Sequence, residues 1–210
     1  MAEMSRTEKW IVNRANPWTY QHVLRPFFQR HLRLPENAAL LEVGCGTGQA
    51  ALLTNQLYHP AKFVVTDYDP SQVAEARATF QGAYGQIPSQ ITLETADALQ
   101  LRHDDASFDA VFAFFVLHHL SGHKRGKVQA ALLQGLAEID RVIKPGGSFI
   151  YSDMFQRKTI RDYFTCRGYE IVHRQTFLAV IELVIIRKQA SVAPGTAGLS
   201  TASTLPATTG

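Results

Sequence analysis

A chain of 210 residues, 46% apolar and 19% charged, is long enough for one domain with a sizeable core. Its net charge of +3 is slight and weighs against nucleic acid as the partner, which usually shows as a basic face or stripe. Two cysteines, Cys45 and Cys166, lie far apart in no metal-ligand spacing; they argue against a disulfide framework or a metal site and suit a reducing compartment.

In chain order, the N-terminal MAEMSRTEKW lacks the apolar core of a signal peptide. Residues 10–33 follow, where Val23, Leu24, Phe27, Phe28, His31 and Leu32 recur at helical spacing with Pro26 as a break. Residues 1–38 are read as a helical cap over a sheet edge, over the ligand site, or over both. Strand-like runs then alternate with helices: 39–43 (ALLEV), 62–67 (KFVVTD), 91–95 (ITLET), 108–115 (FDAVFAFF) and 148–153 (SFIYSD), the last set off by a turn at Pro145, Gly146 and Gly147. Near-continuous apolar runs suit parallel strands covered on both faces. Asp69 and Pro70 read as the N-cap and first residue of a helix. Val128, Leu132, Leu136, Ile139 and Ile143 line one face of another.

After a short helix within 156–168, the runs 169–178 and 180–188 are too close for a crossover and predict an antiparallel hairpin. The longest apolar stretch, 177–186, is too short to span a bilayer and contains Glu182. A soluble, cytoplasmic protein without an integral membrane segment is the expectation. From residue 190 the chain is uncharged and rich in small residues, so 190–210 is read as a disordered tail. Residues 39–189 then form an α/β domain of the doubly wound, Rossmann-like class.

The first strand runs into LLEVGCGTGQ, residues 40–49. A glycine-rich turn between strand and helix exposes N–H groups to a ligand. A phosphate loop would require a lysine that is absent. A dinucleotide site calls for a third glycine at the position of Gln49, for tight helix packing, which disfavours NAD without removing it. Glu42, just before the glycines, would repel a pyrophosphate and attract an ammonium or sulfonium. That points to S-adenosylmethionine. Asp67, ending the second strand, is placed to accept from both ribose hydroxyls. Tyr68 is placed to lie on the adenine face, Asp97 to accept from its amine and the Ala98 N–H to meet a ring nitrogen.

LLEVGCGTGQ, VVTDYDPSQV, TADALQLRHDDASFDAVFAFFVLHHL and EIDRVIKPGGSFIYSD together resemble the successive motifs of class I S-adenosylmethionine-dependent methyltransferases, over about residues 39–153. The resemblance implies a mostly parallel seven-stranded sheet of order 3-2-1-4-5-7-6 with an antiparallel last strand. It implies cofactor contacts at Glu42, Gly44, Cys45, Gly46, Gly48, Asp67, Tyr68, Asp97, Ala98 and Phe114, with Phe115 also on the substrate side.

Methyl transfer is an in-line displacement whose leaving group departs neutral, so orientation does most of the work. A base is needed only where the nucleophile keeps its proton. His118 and His119, past the fourth strand, are the candidates for that role; a structural histidine at a helix start is the competing reading. Cys45 is read as a small loop residue rather than a nucleophile. The segment after the fourth strand, AFFVLHHL, lacks the [DNS]PP[YF] pattern of enzymes that methylate base or glutamine amines. Trp10, Trp18, Tyr20, Phe27 and Phe28, interleaved with Arg14, Arg25, Arg30 and Arg33, suit a small apolar or lipid-like acceptor. A non-catalytic cofactor-binding or partner protein on the same fold is the alternative.

Overall fold

The computed structural model describes residues 20–120, 130–177 and 181–190. Val128, residues 1–19 of the N-terminal segment (with Trp10, Arg14 and Trp18) and nearly all of the expected tail lie outside these. A π-helical turn, Tyr20–Leu24, runs into α1, Arg25–His31, which has Pro26 in its first turn. The remaining order is β1 Ala39–Val43, α2 Gln49–Tyr58, β2 Lys62–Asp67, α3 Pro70–Tyr84, β3 Ile91–Thr95, β4 Phe108–Phe114, α4 Leu117–Leu120, α5 Ala130–Val142, β5 Ile143–Asp153, α6 Arg157–Thr165, β6 Tyr169–Phe177 and β7 Ile181–Lys188.

The sheet has the order β3-β2-β1-β4-β5-β7-β6. β7 is antiparallel to both β5 and β6, as the short connection demands, and the pairs among β1 to β5 are parallel. Side chains alternate between two cores, as strand geometry requires. Leu40, Phe63, Val65, Phe112, Ile150 and Ile185 pack with α1, α2 and α3 on one face. Leu41, Val64, Val111, Phe149, Tyr151 and Val184 pack with α4, α5 and α6 on the other. Phe28 of α1 is fully buried against Phe112 and Phe114, with ring centroids 6.0 and 6.1 Å away. α1 is therefore part of the core.

Two boundaries differ from the sequence reading. β4 ends at Phe114, because Phe115 takes a left-handed backbone (φ 56) and donates its N–H to Ser152 O at 2.8 Å. β5 begins at Ile143, five residues early. Ile143 pairs with Phe108 and Ser148 with Ala110, so the Pro145–Gly147 turn sits inside the strand as a bulge.

Candidate functional site

The carboxyl ends of β1, β2, β3 and β4 converge, the edge at which open α/β sheets bind ligands. The glycine loop there is tied down on both sides. Cys45 donates its N–H to Thr66 O at 2.8 Å, and the Thr79 hydroxyl of α3 donates to Thr47 O at 2.7 Å. Gly44, Gly46 and Gly48 all have positive φ, but their surroundings differ. A Cβ on Gly44 would lie 2.3 Å from Val116 Cγ2, and one on Gly48 would lie 2.8 and 2.9 Å from Ala76 Cβ and Cα. Both are packing glycines. Gly48 supplies a close approach between α2 and α3, one position before the place where a dinucleotide site would need its packing glycine and this chain has Gln49. Gly46 alone of the three has room for a Cβ, whose nearest neighbour among the described residues would be Gln72 Oε1 at an ordinary 3.6 Å.

Acidic groups surround that open glycine. Glu42 is 1% exposed and its Oε2 has no hydrogen-bond partner among the described residues. Burial, reinforced by the charge of Asp67, pushes its carboxyl well above the usual range. Asp67 accepts the Gly46 N–H on Oδ2 at 2.9 Å and the Asp69 N–H on Oδ1 at 3.0 Å. Burial still raises its carboxyl. The Cys45 thiol is pushed up by burial and then by Glu42 and Asp67, which keeps it protonated and a poor nucleophile. Burial, Glu42 and Cys45 likewise raise Tyr20, so the start of the π-helical turn Tyr20–Leu24 lies within the field of Glu42.

Further along the edge, Tyr68 is 49% exposed, leaving a ring face for a planar ligand. Asp97 is half-buried and its Oδ1 accepts the Leu99 N–H at 2.9 Å, while Ala98 is buried. α5 braces this segment: Glu138 accepts the Leu101 N–H at 2.8 Å, and Arg141 donates to Leu101 O and His103 O at 2.9 and 2.7 Å. Phe114 is buried beside Phe28 and Phe112. His118 is buried on α4, with Nδ1 3.1 and 3.2 Å from the two carboxylate oxygens of Asp153 and its backbone N–H donating to Oδ2 at 3.1 Å. Asp153 also accepts from the Met154 and Phe155 N–H groups. The His119 ring lies 4.1 Å from that of His118, centroid to centroid.

A family model described as a methyltransferase domain matches residues 41–151, just over half of the chain. The chain belongs to the class I S-adenosylmethionine-dependent methyltransferases. This methyltransferase domain is 32% identical over 114 residues to 27-O-demethylrifamycin SV methyltransferase of Amycolatopsis mediterranei, covering 54% of the chain and 38% of the relative. It is 30% identical over 189 residues to demethylmenaquinone methyltransferase of Symbiobacterium thermophilum, covering 87% of the chain and 66% of the relative. The chain thus spans less than two thirds of the length of these relatives. A S-adenosylmethionine-dependent methyltransferase from Aquifex aeolicus shares the fold, with a TM-score of 0.68 at 14% identity over 88% of this chain and 99% of that one.

The residues present fit the family's cofactor, S-adenosylmethionine. A buried carboxyl with an orphan oxygen on β1, a roomy glycine in the loop that follows and a second acid at the end of β2 meet at one sheet edge, and the cofactor brings an ammonium and a sulfonium to offset that negative charge. Two residues of this methyltransferase domain escaped assignment from sequence. Asp153 ends a strand run, and its pairing with His118 crosses 35 positions that no local pattern links. Tyr20 was read with the aromatics of the cap, but its place near Glu42 needs the packing of α1.

Proposed function

We propose that the domain transfers a methyl group from S-adenosylmethionine to a hydroxyl of a small-molecule or lipid-like acceptor, with His118 as proton acceptor. The observation that carries this reading is the His118 ring set against the buried carboxylate of Asp153. A neutral imidazole that donates from Nδ1 to a carboxylate carries its lone pair on Nε2 and is held in one orientation. Such a base serves a nucleophile that keeps its proton at neutral pH, which is the case for a hydroxyl. The cofactor supplies an electrophilic methyl on a sulfonium. Glu42 holds its ammonium end, Gly46 admits it, Asp67 accepts from the ribose, and Asp97, Ala98 and Tyr68 receive the adenine. Of the expected cap, Tyr20 lies within the field of Glu42 and borders the site. The name of one relative specifies an oxygen of rifamycin; that of another names a quinone, which supports a small apolar acceptor without specifying a hydroxyl.

The test is a set of phenolic and aliphatic hydroxyl acceptors assayed with labelled S-adenosylmethionine. His118→Gln is expected to lower turnover by about 10²–10⁴-fold, the usual contribution of a general base, with cofactor affinity unchanged. Loss should be smaller for acceptors already ionised at the assay pH. Wild-type turnover in His118→Gln on every acceptor would remove the base. No binding at millimolar cofactor would leave the partner-protein alternative.

The ribose role of Asp67 is tested separately. Asp67→Ala is expected to weaken cofactor binding by roughly 1–3 kcal/mol, through lost charged hydrogen bonds. It should also speed amide exchange at Gly46, whose N–H loses its acceptor. Faster exchange with unchanged affinity would reduce Asp67 to a loop tie.

A further inference from the structure

Asp153, the carboxylate that holds His118, has a second acid beside it. β5 and β7 pair antiparallel with Asp153 directly opposite Glu182, so the two side chains leave the sheet on the same face. They are 0% and 5% exposed. Like charges opposed across two strands are unfavourable, and more so out of water, unless each is met by a cation or by donors. Here the two are met differently. Asp153 takes the His118 ring and the backbone N–H groups of His118, Met154 and Phe155. Glu182 takes the Arg161 guanidinium of α6 on Oε2, and Arg174 of β6 stands 3.9 Å from its Oε1. The Arg161 side chain is 18% exposed and that of Arg174 47%, so water screens Arg161 less.

These charges surround one buried point. The Tyr151 hydroxyl, two residues before Asp153 on β5, is fully buried and has no hydrogen-bond partner among the described residues. Burial raises it first; Glu182 and Asp153 raise it further, while Arg161 and Arg174 oppose them. Around the His118 ring itself stand Asp153, the His119 ring at 4.1 Å and the uncharged Phe155 ring at 5.6 Å. A carboxylate tightens the hold of an imidazole on its proton, and a second carboxylate tightens it again. A histidine that keeps its proton accepts none. Arg161 opposes the second acid and leaves the first to orient the ring.

We infer that Arg161, by capping Glu182, sets the pH at which His118 is freed of its proton, and so acts as a positioning residue for the base. The inference rests on the reading of His118 as proton acceptor.

The experiment is a pH titration of the full chain by NMR with labelled imidazoles, the His118 signal being assigned by its loss in His118→Gln. Arg161→Gln removes a cation and should raise the His118 midpoint by about one pH unit. Glu182→Gln removes an anion and should lower it by about as much. The double variant restores the charge balance and should return to the wild-type midpoint, and Arg161→Lys, which keeps the charge, should stay there. The pH profile of turnover on a phenolic acceptor should move with the NMR midpoint. An ion pair that only braces α6 on β7 would change stability without opposed midpoints. Wild-type affinity for S-adenosylmethionine certifies the fold of each variant; if Glu182→Gln does not fold, Arg161→Gln against Arg161→Lys decides alone. An unmoved midpoint in folded Arg161→Gln, or equal midpoints in Arg161→Gln and Arg161→Lys, would overturn the inference. So would single variants that move the midpoint in the same direction. Opposed midpoints with full turnover in His118→Gln would remove the base and leave the charge control standing, whereas lost turnover in His118→Gln with unmoved midpoints would do the reverse.

Discussion

Alanine at Gly46 should leave the fold standing and remove the cofactor, whereas alanine at Gly48 should unsettle the fold itself. Both positions have positive φ, 52 and 76, so each substitution carries about 1–2 kcal/mol of left-handed backbone strain. At Gly48 the new methyl would also meet Ala76 Cβ at 2.8 Å and its Cα at 2.9 Å. Backbone cannot swing aside as a flexible side chain can, and overpacking of this kind adds about 1–3 kcal/mol. At Gly46 the nearest atom is the mobile end of Gln72, 3.6 Å away, so strain is the whole cost to stability. The methyl there occupies the space through which the backbone would approach a ligand. Thermal melts of the two variants, paired with S-adenosylmethionine titrations, check this. Equal loss of stability in both, with Gly46→Ala binding as wild type, would contradict the assignment of the opening.

Glu42→Gln should make the cofactor-free protein more stable near neutral pH and a far weaker binder. The Glu42 carboxyl is buried, has an orphan oxygen and is raised well above its ordinary value by burial and by Asp67. The folded state therefore keeps the Glu42 proton to higher pH than the unfolded chain does. Its contribution to wild-type stability is fully present below the ordinary carboxylate range and is lost as pH rises from there through the raised value. Glutamine carries no such slope, so the stability gap in its favour should widen with pH over that window. Binding moves the other way. Removing one partner of a buried ion pair costs about 3–5 kcal/mol, so cofactor affinity should fall by roughly 10²–10⁴-fold. Chemical denaturation at several pH values and cofactor titration give both quantities. A parallel pH slope in the two proteins would show that Glu42 is not the strained group.

The sheet was legible because each strand is a short apolar run bounded by turn residues, and because 169–188 leaves room for nothing but a hairpin. Its order came through the motif resemblance and agrees with the structure. The starts of β2 and α3 were equally plain: Asp69 does cap its helix, accepting the Ser71 N–H at 2.8 Å. Less was visible where geometry depends on contacts across the chain. Three glycines look alike in a sequence, yet Val116 and Ala76 make two of them packing positions and leave one open. Pro145–Gly147 reads as a turn before a strand, and pairing on both sides of it makes it a bulge. The His118–Asp153 pair joins α4 to the end of β5 through the fold alone.

The account stands on the claim that Glu42 awaits a cation. Calorimetric titration with S-adenosylmethionine, in buffers of different ionisation heat and at pH values between the ordinary carboxylate range and neutrality, measures this most directly. Binding accompanied by proton release, with release abolished in Glu42→Gln and no binding of NAD, is the predicted result. Binding of NAD with S-adenosylmethionine ignored, or cofactor binding with no proton exchanged at any pH in that window, would contradict it.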